Sequence, residues 1–175
     1  MSEVKVIDNF LNDEEYKNVV NILAEKQFPW YVSDMSDYPG DNNTQLYHIL
    51  YNNNIPYSDF FQNFQPLYDK LEIFSLFKVR AIATLQKNSF NNNPNMYHTD
   101  VENVGILDKC TTAIYYINSN DGGTQFEKDG NIVKSVSNRM VVFNSTMKHR
   151  TVKHTKGDCF RYVLNFNYVG INNDN

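Results

Sequence analysis

Four histidines occur in the chain, at positions 48, 98, 149 and 154, and one of them sits beside a carboxylate in His98-Thr99-Asp100. In an extended segment the side chains at i and i+2 leave on the same side. This imidazole and this carboxylate can therefore turn toward one ion. His149 lies at the far end of a strand-rich stretch. Two histidines and one carboxylate on one face of a metal leave three coordination positions open, a donor set suited to a non-haem Fe(II) ion that must bind further ligands. A His-x-Asp pair alone is common in surface loops and decides little. Arg161, at the start of an alternating segment, adds a guanidinium that can hold a carboxylate through two parallel hydrogen bonds. An isolated strand Arg more often ends in a surface ion pair.

The elements that must position these residues are legible from spacing. Val4 to Ile7 reads as a short strand. Asn12 and Glu15 have the spacing of a capping box, and Tyr16, Val19, Val20 and Leu23 follow helical spacing, which predicts a helix over 13–26. Residues 30–56 show no period and read as a long irregular loop that could hold short strands. Ser58 can cap a second helix with Phe60, Phe61, Phe64, Leu67, Tyr68 and Leu71 on one face, broken or kinked at Pro66. The period then changes to two. Phe77, Val79, Ala81, Ala83 and Leu85 alternate with Lys78, Arg80, Thr84 and Gln86, which predicts a strand over 77–86. Further strands are expected at 111–117, 125–127, 131–134, 139–143 and 160–169. Asp121-Gly122-Gly123, Asp129-Gly130 and Lys156-Gly157-Asp158 serve as turns. Many short strands at this spacing point to a sandwich or barrel. With two N-terminal helices covering one side, the expected fold class is mainly β with flanking helices, over one domain, 1–175.

Composition narrows the function classes. The formal net charge is -4 and no basic run occurs, which speaks against a nucleic-acid partner. The 14% of aromatic residues suits a pleated, β-rich core. Cys110 and Cys159 match no zinc or redox spacing. The first residues lack the apolar core of a signal peptide and no apolar run reaches the roughly 20 residues of a membrane span, so the expected location is cytoplasmic, with no membrane partner.

Taken in order, several segments resemble the 2-oxoglutarate/Fe(II) dioxygenases, in particular the prolyl-4-hydroxylase-like group. They are Tyr97-His98-Thr99-Asp100, Thr112-Ala113-Ile114-Tyr115-Tyr116-Ile117-Asn118, Gly122-Gly123, Arg139-Met140-Val141-Val142-Phe143, His149 and Phe160-Arg161-Tyr162. The resemblance spans about 77–169, with a weaker echo in Val6 to Leu11. It implies a double-stranded β-helix, the jelly-roll, cupin-like core of that family. It implies Fe(II) held by His98, Asp100 and His149, with 2-oxoglutarate and O2 as co-substrates and ascorbate as a further candidate cofactor. The C5 carboxylate of 2-oxoglutarate would pair with Arg161 and accept a hydrogen bond from a tyrosine. Position in the motif gives that role to Tyr116, against core packing as the alternative, with Tyr115 facing the other way. The implied reaction hydroxylates a C–H bond while 2-oxoglutarate becomes succinate and CO2. Retention of Asp100 favours hydroxylation over halogenation.

The chain also departs from the family. The aromatic donor that many relatives carry before the His-x-Asp motif is missing from Ala83-Thr84-Leu85-Gln86, leaving Thr84 or Gln86 as substitutes. Asn167 stands where nucleic-acid demethylases place a second Arg. A simple two-residue hairpin at Lys156-Gly157 would put Arg161 and His149 on opposite faces, so the site requires either a different loop or strands that lie in separate sheets, as a jelly roll supplies. The first substrate expectation is a prolyl residue of a protein or peptide, followed by a free amino acid or small metabolite. A non-catalytic cupin-like metal binder is the reading from another class. The loops at 30–56 and 88–96 are where substrate choice is expected. His154 reads as a solvated loop residue and His48 as packing. Arg150 is expected to face outward or toward substrate, and Asn165 shares a face with Arg161.

Overall fold

The computed structural model describes residues 3–33, 44–87, 97–101 and 109–171. The expected substrate loop at 88–96 lies outside them, as does the middle of 30–56.

Strand β1 (Lys5–Ile7) leads into helix α1 (Asp13–Ala24). The helix starts where its capping box dictates: the Asn12 side chain accepts from the Glu15 backbone N–H at 2.9 Å, and Glu15 accepts from the Asn12 N–H at 3.0 Å. The loop expected at 30–56 instead contains β2 (Tyr31–Ser33), β3 (Gln45–Asn52) and β4 (Ile55–Pro56). Strand β3 is masked in sequence because it is not a half-buried strand: Gln45, His48 and Leu50 are buried while their neighbours are partly covered, so no alternation shows. Ser58 caps a 3-10 helix (Asp59–Phe64), accepting from the Phe60 N–H at 3.1 Å. Helix α2 (Gln65–Lys70) follows with Pro66 in its first turn, where a missing N–H costs nothing. The proline therefore separates two short helices rather than kinking one.

The remaining strands are β5 (Ile73–Leu85), β6 (Thr111–Tyr116), β7 (Gly123–Phe126), β8 (Ile132–Lys134), β9 (Arg139–Asn144), β10 (His149–Val152) and β11 (Phe160–Gly170). They form two antiparallel sheets. The larger has the order β1-β9-β6-β11-β5-β3-β2, with β4 on β3, and the smaller has the order β10-β7-β8. This is the jelly-roll core the sequence pointed to.

The two faces of the large sheet do different work. Outward, Val79, Ala81, Tyr115, Leu164 and Phe166 are fully buried against Leu11, Val19, Leu23, Leu67 and Tyr68 from the helical side. Inward, Ile114, Tyr116, Val141 and Val163 meet Phe126 of the small sheet. The inner face is also where the polar residues of β5 and β11 point. Residues 80 and 82 of β5 stand opposite 165 and 163 of β11.

Candidate metal centre and cofactor cleft

His98 and His149 are brought together by backbone. They form an isolated antiparallel bridge beside β10, the N–H of each donating to the carbonyl of the other at 2.9 and 3.0 Å. Asp100 is not on a strand, as the i, i+2 argument assumed; the chain leaves the bridge after His98 and bends at Asp100. The bend, rather than strand alternation, turns the carboxylate back. Asp100 Oδ1 lies 3.8 Å from His98 Nε2, and its Oδ2 lies 3.7 Å from His149 Nε2. All three donors fall within 4.8 Å of one another. Donors in adjacent positions on a metal with bonds of about 2.1 Å sit roughly 3 Å apart, so small rotations close this set on one ion.

The surroundings suit a metal. Nδ1 of His149 lies 3.0 Å from the Met147 carbonyl, which fixes the ring and leaves Nε2 for the ion. Burial pushes the His149 pKa down, against the opposing pull of Asp100, and so favours the neutral imidazole that a metal needs. Burial alone would raise the pKa of Asp100. The charges of His149, Arg80 and His98, with a hydrogen bond from Asn165, outweigh that and lower it to about 2. Asn165 Nδ2 donates to Asp100 Oδ2 at 3.1 Å, and Asn167 Nδ2 reaches the same oxygen at 3.3 Å. The residue at the demethylase arginine position thus serves the metal ligand itself.

A cleft of about 480 Å³, open mouth included, has His98, Asp100, His149, Arg161, Arg80 and Thr124 among its lining residues. Arg161 reaches it because β10 and β11 lie in different sheets, β10 on β7 and β11 between β5 and β6. The feared two-residue hairpin does not form. The chain between these strands passes through Gly157 at φ +102, with His154 beneath it. His154 is fully buried, not solvated, and its Nε2 lies 2.9 Å from the Asp158 carbonyl. Asp121 holds the same loop from outside, accepting from Thr155 N at 2.7 Å, Thr155 Oγ1 at 2.6 Å and Lys156 N at 3.0 Å.

Arg161 is buried, and its Nη1 donates to the Gly123 carbonyl at 2.6 Å. The Gly-Gly pair has a steric reason. A Cβ at Gly123 would stand 2.2 Å from the Val133 carbonyl oxygen, and one at Gly122 would stand 2.6 Å from that of Val152. Only glycine lets β7 run this close to its neighbours and present a carbonyl to Arg161.

No protein-family model matches the chain, and no curated protein does. Solved structures do. A prolyl hydroxylase from Trichoplax adhaerens, in complex with a hypoxia inducible factor peptide fragment, superposes with TM-score 0.69 at 14% identity, covering 97% of this chain and 84% of that one. The viral collagen prolyl hydroxylase of Paramecium Bursaria Chlorella virus-1, in its 2-oxoglutarate complex, gives TM-score 0.55 at 15% identity, with 96% of each chain covered. HygX from Streptomyces hygroscopicus, with nickel, 2-oxoglutarate and hygromycin B bound, gives TM-score 0.59 at 11% identity, over 98% of this chain and 84% of that one. The chain has the fold of the 2-oxoglutarate/Fe(II) oxygenases.

Within this oxygenase fold, Tyr115 and Tyr116 face opposite ways. Tyr115 joins the outer core and donates to Asn138 Oδ1 at 2.7 Å. Tyr116 is fully buried between the sheets and its hydroxyl donates to Thr124 Oγ1 at 2.7 Å. Thr124, not Tyr116, reaches the cleft, so any contact of the tyrosine with a ligand there passes through the threonine or needs a rotation. Gln86 is used on the Thr155 carbonyl at 2.6 Å. Thr84 is buried opposite Arg161 in the β5–β11 register. His48 packs among aromatic rings, 4.9 Å from Phe28. Arg150 lies 4.6 Å over the Tyr97 ring and donates to Gln125. Arg80 lines the cleft, although its sequence pattern shows it only as the polar half of an alternating strand. No helix among the described residues is long and apolar enough to cross a membrane.

Proposed function

We propose that this protein is a 2-oxoglutarate- and Fe(II)-dependent hydroxylase. The carrying observation is the convergence of His98, Asp100 and His149 in one cleft with the buried Arg161. In this reading the triad holds the metal, and Arg161 takes the C5 carboxylate of 2-oxoglutarate as a two-pronged hydrogen-bonded pair. Thr124, aligned by Tyr116, is placed to add a hydroxyl contact. The bound iron would activate O2, with one oxygen atom going to the substrate C–H bond and the other to succinate as CO2 leaves. The protein's own part is to fix three ligands, leave three positions open and keep the site enclosed between two sheets.

Likeness to two prolyl hydroxylases supports a prolyl residue of a peptide or protein as the substrate. A small metabolite is the second reading. Anaerobic titration with Fe(II) and then 2-oxoglutarate tests the reading. A visible metal-to-keto charge-transfer band is expected for the wild type and none for His98→Ala. Iron binding without a band would refute the co-substrate.

A further inference from the structure

Arg80 is the cleft residue that the metal and 2-oxoglutarate do not use. It faces inward from β5, opposite Asn165 on β11 and Ile49 on β3. Its Nε is buried and has no hydrogen-bond partner among the described residues. A buried donor left unmatched is costly, and a guanidinium in that state invites an acceptor. The register places it away from Arg161. Arg161 stands opposite Thr84, Val163 opposite Ile82, Asn165 opposite Arg80 and Asn167 opposite Lys78. Arg161 thus occupies one end of the inner face, and Arg80 and Lys78 the other. Asp100 receives the two asparagine amides at that second end.

Charge points the same way. In the loaded site the metal dication and the 2-oxoglutarate dianion cancel, and the single negative charge of Asp100, which acts on both Arg80 and Lys78, is outnumbered by the cations Arg80, Lys78 and Arg161. Burial and the Arg80 charge push the Lys78 ammonium toward its neutral form, against the opposing pull of Asp100. Surplus positive charge beside a partly enclosed cleft favours an anion there. Beyond Arg80 the same sheet face continues across β3, where Tyr47, Ile49, Tyr31 and Tyr57 line a shallow, open hollow.

We infer that Arg80 is a substrate-recognition residue and that the hydroxylated substrate carries a carboxylate, seated against the Arg80 guanidinium in the cleft. This rests on the oxygenase reading. A planar guanidinium matches a carboxylate through two parallel bonds, which a neutral amide cannot reproduce. The carboxylate belongs either to a free acid or to an acidic residue next to the target in a peptide.

The test uses protein loaded with Zn(II), which does not support O2 chemistry, and saturated with 2-oxoglutarate. Calorimetry then compares N-acetyl-L-proline with its primary amide, and the peptide Ac-Asp-Pro-NH2 with Ac-Asn-Pro-NH2. At least one acid should bind tenfold or more tightly than its amide, and the pair that does so identifies the source of the carboxylate. Arg80→Gln should erase that preference in protein that still binds Zn(II) and 2-oxoglutarate, while Arg80→Lys keeps part of it. If no acid outbinds its amide, or if both Arg80 variants lose 2-oxoglutarate affinity before any probe is added, the inference is overturned. Failure of the wild type to bind Zn(II) and 2-oxoglutarate would instead overturn the oxygenase reading.

Discussion

His98 and His149 hold each other by a reciprocal pair of backbone hydrogen bonds at 2.9 and 3.0 Å, so the two imidazoles are positioned by main chain rather than by side-chain packing alone. The pair ties residues 97–101 to the small sheet. An ion that joins both rings to Asp100 should therefore stabilise the fold itself. At a metal concentration of a hundred times Kd, mass action adds about 2.7 kcal/mol. For a chain of this size that raises Tm by roughly 5–10 °C. Anaerobic thermal melts with and without Fe(II) or Zn(II) measure it. Asp100→Ala should remove the shift, and a retained shift would show that the ion binds elsewhere.

Asn165 and Asn167 share Asp100 Oδ2, and in the proposed site they would act on the metal through it. Removing a partner of this kind commonly lowers metal affinity roughly 10–100-fold. Asn165→Ala should therefore weaken metal binding without abolishing it, and the double alanine variant should weaken it further. Competition against a metallochromic chelator reads both. Wild-type affinity in the double variant would remove these asparagines from the site.

Much of this was legible in the chain because local rules and tertiary demands agree. The Asn12 to Glu15 box, the inward and outward tyrosines of β6 and the long alternation of β11 needed no tertiary information. The failures are equally physical. Strand β3 is covered on both faces, so its pattern has no period to find. His154 stands beside a turn, which usually means solvent, yet the turn folds back over it. Arg80 was visible as an alternating polar residue, but alternation cannot say whether the polar face meets water or the inside of a barrel. Only the second sheet decides that.

Arg161 is enclosed and donates to the Gly123 carbonyl, which fixes its orientation; in the proposed function it takes the 2-oxoglutarate carboxylate. A hydrogen bond to a charged group contributes about 1.5–3 kcal/mol. Arg161→Met keeps the bulk and loses the charge. It should weaken 2-oxoglutarate binding roughly 10–150-fold while leaving metal affinity near the wild-type value. The charge-transfer titration separates the two effects. Unchanged 2-oxoglutarate affinity would move the anchor to another residue.

Asp121 gives the loop between β10 and β11 its acid sensitivity. Its three accepted bonds, led by the Thr155 hydroxyl, lower its pKa from 3.8 to about 2. A carboxylate whose folded pKa is depressed contributes stability above its unfolded pKa and loses it as pH falls through the folded one. The loop should therefore loosen between pH 3.8 and about 2. Amide signals of Thr155 and Lys156 followed by NMR through that range report it. In Asp121→Asn the same signals should already be shifted at neutral pH and change little on acidification. If wild type and variant titrate alike, the loop is held by something other than Asp121.

Gly123 joins fold and site most directly. A methyl group there would meet the Val133 carbonyl oxygen at 2.2 Å, and that atom belongs to backbone, which cannot rotate away. Strand β7 must then part from β8, at a cost of roughly 1–3 kcal/mol for overpacking of this kind. The carbonyl of Gly123 moves with it, and Arg161 loses its orienting acceptor. Gly123→Ala should lower Tm by a few degrees and also weaken 2-oxoglutarate binding. Val133→Ala offers a control, because it destabilises the same strand pair from the side-chain direction without altering residue 123. The control should lower Tm and leave 2-oxoglutarate affinity intact. Equal losses of affinity in both variants would mean that general loosening, rather than the position of the Gly123 carbonyl, governs Arg161.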